Sequence, residues 1–140
     1  MAETTTNQET ATNQTTGKQS SLALFAAIAG WVVPGVGHLI LRRPGRALIL
    51  FFCVGGLAVT GLLMRGNVFS AHSGDTFDSL GYLADLGSGV FYLIAKSIER
   101  AGPDVSRAAG DYGTRFLATA GVVNVLGALD AFDIAIGKKN

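Results

Sequence analysis

The chain has 140 residues, 49% of them apolar and 15% charged, with a net charge of +1. A soluble domain averages about 25% charged residues, so a surface turned wholly to water is not expected, and the length allows one compact unit rather than two domains. The near-neutral balance, with no basic stripe interleaved with aromatics, argues against a nucleic-acid partner.

Residues 1–20, MAETTTNQETATNQTTGKQS, hold almost nothing that could be buried. Such a segment cannot recover its ordering entropy and reads as a disordered tail. A cleaved signal sequence is the rival reading, but a basic leading region is missing, since Lys18 stands alone after two glutamates. An uncleaved tail is therefore expected.

The first apolar run, residues 22–41, reads LALFAAIAGWVVPGVGHLIL. Twenty residues at helical rise cover roughly 30 Å, about one hydrocarbon thickness, which predicts a membrane span. Inside it, Pro34 lacks an amide donor and would press on the carbonyl of Gly30. Pro34, Gly35 and Gly37 are expected to kink the helix and to present His38 near its end. Arg42, Arg43 and Arg46 close the run around a Pro44-Gly45 turn.

A second run, residues 47–64, reads ALILFFCVGGLAVTGLLM and carries neither charge nor proline. It is too long for an ordinary buried strand and predicts a second span, making a helical hairpin with a short basic loop. Cys53, the single cysteine, lies within it. An intrachain disulfide is excluded, and the residue reads as a small apolar filler.

Residues 65–79 read as a polar loop. Over residues 80–98, Asp85, Ser88, Tyr92, Lys96 and Glu99 recur along one helical face, with Leu83, Leu86, Val90, Leu93 and Ile94 broadly opposite. The pattern predicts an amphipathic helix lying in the interface, or a partly re-entrant one. A true crossing is the alternative, and it would have to bury Asp85. After a further loop, residues 116–137 are long enough to span, although they carry Asn124, Asp130 and Asp133 and end at Lys138 and Lys139.

The expected fold is thus an all-α membrane protein: a helical hairpin, a C-terminal transmembrane helix and an amphipathic or re-entrant helix, behind a disordered tail. The domain plan is a tail over 1–20 and a helical membrane domain over 21–140. Short basic loops favour the cytoplasmic face, which puts the arginine turn inside and the N-terminal tail outside. With three spans, the last helix runs inward. His38, Arg42, Arg43 and Arg46 then share a depth with Asp130 and Asp133, which lie three apart on one face. A carboxylate near hydrocarbon needs a partner, and a guanidinium fork can hold one through two bonds. These six residues are the candidate site, expected to tie the hairpin to the last helix.

The stretch WVVPGVGHLILRRPGRALILFF resembles the first half of the two-transmembrane-helix domain family, in which a helix ends in a glycine-histidine turn before a short basic loop. Over residues 22–139 the chain is more similar to an uncharacterised group of small bacterial membrane proteins classed as a domain of unknown function. The likeness rests on the WxxPGxGH entry and the DYGTRFLATAGVVNVLGALDAFDIAIGKK ending. It implies a multi-pass protein of a bacterial inner membrane, and it assigns no catalytic or binding residue.

No Walker-type phosphate loop, HExxH, CxxC or GxSxG is present. His72, Asp75 and Asp78 could share a metal, but solvated surface is the simpler reading. No enzymatic activity, cofactor or metal is expected. Two classes of function remain: a structural or accessory component of a membrane assembly, or a protein handling a lipid headgroup or ion at the cluster, with His38 as proton carrier and the arginines on phosphate. The expected partners are the lipid bilayer and other membrane proteins or a second copy. The spacings Ala26/Gly30 and Gly56/Thr60 would permit close helix contact.

Overall fold

The computed structural model describes residues 19–69, 76–99 and 108–138. Residues 1–18 of the predicted disordered tail and the candidate loop residues His72 and Asp75 lie outside them, while the last two residues of that tail, Gln19 and Ser20, are helical. All regular structure among the described residues is helical: α1 (Gln19–Val32), α2 (Val36–Ile40), α3 (Pro44–Leu63), α4 (Thr76–Gly87), α5 (Val90–Glu99) and α6 (Ala108–Ala135). At helical rise α3 is roughly 30 Å long and α6 somewhat longer. These two are long and apolar enough to cross a membrane, with mean hydropathies of 2.1 and 1.5.

α3 and α6 run antiparallel along their whole length. At one end Gly61 lies against the backbone of Gly113, and at the other Arg46 reaches Asp130. Between them Val54, Ala58, Leu117 and Ala120 form a small core that also takes Ala95 of α5. Pro44 suits the first turn of α3, where its missing amide proton would have had no helical partner. α6 begins eight residues before the expected 116, because the segment read as loop supplies its first turns.

The span expected over 22–41 is not one helix. α1 stops at Val32, a turn occupies residues 33–35, and Gly35 adopts φ +86°, a left-handed conformation that glycine takes without penalty. α2 then doubles back, so that Gly37 rests against Gly30 and the Ala26 carbonyl. The contacts with α6 fix the direction of α1. Trp31 meets Asn124, Gly30 meets Ala128, and Ala26 lies across Gly37 from Ala131. α1 therefore starts at the end where α6 finishes and reaches only the level of Asn124. Hydropathy registers only the length of the run, whereas the missing donor of Pro34 and the freedom of Gly35 end the helix halfway. The hairpin is present, but its first arm is doubled back. The first helix consequently begins at the same end as the arginine turn, not at the opposite end expected for a complete crossing.

The stretch 80–98 also folds in two. α4 descends from the opposite end beside α6, with Ala84 packed on Gly121, and stops at Gly87. Gly89 (φ +61°) turns the chain, and α5 climbs back with Phe91 near Gly55 of α3. The sequence around the two turns matches: Gly35-Val36 and Leu39-Ile40 recur at the same spacing as Gly89-Val90 and Leu93-Ile94. Each half of the protein is thus a doubled-back pair followed by a long helix, and the halves enter from opposite ends. This is the pattern of an inverted repeat.

Most of the polar face predicted over 80–98 is turned inward, although its Lys96 is exposed. Asp85, Ser88 and Tyr92 are buried, whereas Leu83 and Leu93 are exposed.

Candidate functional site

His38, Arg46 and Asp130 meet at the end shared by α2, the start of α3 and the end of α6. His38 Nε2 lies 3.1 Å from Asp130 Oδ2, and Arg46 Nη1 lies 3.3 Å from the same oxygen. A carboxylate only accepts, so the proton on His38 that faces it is carried by Nε2. The local fold explains the placement. Gly37 lets α2 press against Ala26 and Ala131, which carries the neighbouring His38 into the interior at 1% exposure. Arg46 sits in the first turn of α3 on the side facing α6. Its side chain remains 45% exposed, and that of Asp130 29%.

The other predicted members are not joined to this group. Arg42 forms the tight turn after α2 with φ +57°, and Arg43 is the residue that precedes α3. Both are therefore outside the helical face that meets α6. Among the described residues no side-chain hydrogen bond or ion pair links Arg42, Arg43 or Asp133 to the group. Asp133 is three positions beyond Asp130, and its carbonyl accepts the amide of Lys138 at the helix end. Asp78, the described member of the loop trio, lies in the first turn of α4, and no group of metal-ligating side chains occurs among the described residues.

A second polar centre lies midway along α6. Asn124 Nδ2 donates to the carbonyls of Trp31 (2.7 Å) and Gly87 (2.9 Å). Those carbonyls end α1 and α4, where a helix leaves its last acceptors without intrahelical donors. A single buried amide thus caps both inner helix ends. A Cβ at Gly89 would stand 2.6 Å from the Val32 carbonyl oxygen and closer still to that of Trp31, so the two turns touch directly. From the sequence alone Asn124 is a polar residue within a span, with no partner assigned. The clue available was the matching turn sequence, which implies two hairpin tips in need of a common partner.

Asp85, buried at 2%, accepts the amide proton of Phe69 at 2.7 Å and so fastens the chain leaving α3 to α4. At the same end the Asn67 amide donates to Thr114 Oγ1 at 3.0 Å.

A cavity of about 310 Å³ opens sideways between α3 and α6. Ile49, Leu50, Val123 and Leu126 line its length, and His38, Arg46 and Asp130 form its polar end.

Residues 25–140 match a family described as a family of unknown function (DUF6677), and the chain belongs to that family. No curated protein and no solved structure matches it.

Proposed function

We propose that this member of the family is a multi-pass integral membrane protein with a structural or accessory role in a membrane assembly. α3 and α6 cross the bilayer. The pairs α1–α2 and α4–α5 are re-entrant, entering from opposite faces and meeting at mid-depth. The arginine turn, the start of α1 and the end of α6 lie on the cytoplasmic face, by the preference of short basic loops for that side.

The observation that carries the membrane reading is the inside-out distribution of side chains. Leu63 is 80% exposed and Phe52 66%, while His38, Asp85, Ser88 and Asn124 are buried. Only 17% of the apolar window of α3 is buried, where the core helix of a water-soluble protein would be mostly covered. In lipid this arrangement is the favourable one, because apolar side chains can face hydrocarbon and polar groups must find partners inside.

The structural role is supported by what the buried polar groups do. Asn124, His38 and Asp85 each join elements distant in the chain, and doubled-back helices at membrane depth are tolerated only where protein covers their ends. Proton or ion transfer through the cluster is less well supported. His38, the proton carrier it needs, is enclosed, and the nitrogen facing the cluster already bonds Asp130.

The test is fractionation followed by cross-linking in native membranes. The chain should stay with the membrane through alkaline carbonate washing, and a membrane-permeant cross-linker should give species larger than the monomer. Release by carbonate would contradict the membrane reading; a monomer at every cross-linker dose would contradict the accessory role.

A further inference from the structure

The lateral cavity between α3 and α6 has the shape and chemistry of a lipid site. We propose that it holds one anionic glycerophospholipid, with an acyl chain along Ile49, Leu50, Val123 and Leu126 and the phosphodiester on Arg46. The inference rests on α3 and α6 crossing the bilayer, since only then does the cavity open to hydrocarbon.

The cavity exists because the two long helices are unequally spaced. Near Gly61 and Gly113 their backbones touch; near Gly127 the side chain of Leu50 stands between them. The gap follows α6 from Asp130 to Val123, about 10 Å at helical rise. Its lining is apolar except at the end beside the arginine turn, which is where a phospholipid changes from chain to headgroup.

Charge selects the headgroup. The described charged side chains at this end are Arg42, Arg43, Arg46 and Lys138 against Asp130 and Asp133, an excess of positive charge. Arg46 is half exposed and carries five donors in a fixed fork, so it can take a phosphate oxygen while keeping Asp130. His38 and Asp130 fix the wall against which the guanidinium lies.

The experiment is native mass spectrometry of detergent-purified full-length protein, titrated with phosphatidylglycerol, phosphatidylethanolamine and diacylglycerol of identical chains. One phosphatidylglycerol should be retained at concentrations at least tenfold below those needed for either of the others. Arg46→Gln should abolish that preference. Leu126→Trp, at an exposed position on the cavity wall, should weaken retention of every lipid tenfold without touching the ionic group. Equal retention of the three lipids by the wild type would overturn the proposal, and so would unchanged retention in Leu126→Trp. A dimer in place of a lipid-bound monomer would assign the cavity to a second copy and overturn it too. Failure of the membrane reading is recognised separately, as protein that stays soluble and monodisperse without detergent.

Discussion

Trp31 and Asn124 lie 93 positions apart in the chain and are joined by a 2.7 Å hydrogen bond from the asparagine amide to the tryptophan carbonyl. Because the same amide nitrogen also serves Gly87, the two inner helix ends depend on one side chain. Replacing it by a leucine of similar size leaves both carbonyls facing a methyl group. Asn124→Leu should cost about 1–2 kcal/mol, the range for lost interhelical hydrogen bonds, read as a lower midpoint of thermal unfolding in detergent. A midpoint equal to wild type would show that the tips need no common cap.

Glycine matters where the tips touch and not where α3 faces outward. Gly89→Ala meets both a left-handed backbone, which costs an alanine about 1–2 kcal/mol, and the carbonyls of Trp31 and Val32. A Cβ at Gly56 meets nothing within 4 Å. Gly89→Ala should therefore yield little folded protein, while Gly56→Ala should elute in size-exclusion chromatography as the wild type does. Comparable behaviour of the two would remove the tip contact from the fold.

The two late aspartates should be separable. Asp130→Ala strips the enclosed His38 of its acceptor, at a cost of about 1–3 kcal/mol, whereas the half-exposed Arg46 adds little. Asp133→Ala should leave the unfolding midpoint within error of wild type. Equal losses in both variants would mean that the pair acts as a unit.

Cys53 lies at the middle of α3 on its exposed face. In intact membranes a charged maleimide should leave it unmodified, while the same reagent should label it once the protein is denatured in detergent. Labelling in the intact membrane would put that face of α3 in water.

Much of the helical content follows from apolar run lengths, and the meeting of His38 and Arg46 with Asp130 follows from asking where a carboxylate in lipid finds a partner. Three other features were hidden for physical reasons. A hydropathy window cannot distinguish one crossing from a half-crossing that returns, so residues 22–41 read as a single span. The polar face of 80–98 fits a helix in the interface as well as one packed on protein or re-entrant, and periodicity cannot choose between them; here Asp85 and Ser88 face protein and Leu83 faces out. The role of Asn124 depends on two carbonyls that only the fold brings together.

Sidedness tests the central claim most directly. In a Cys53→Ala background, single cysteines at positions 10, 45, 65 and 138 can be probed with an impermeant maleimide on intact cells and on inverted vesicles. Two re-entrant pairs and two crossings predict that positions 10, 45 and 138 label from one face and position 65 from the other. Labelling of position 10 from the face opposite position 45 would mean that the first apolar run crosses completely, and the paired re-entrant architecture would be wrong.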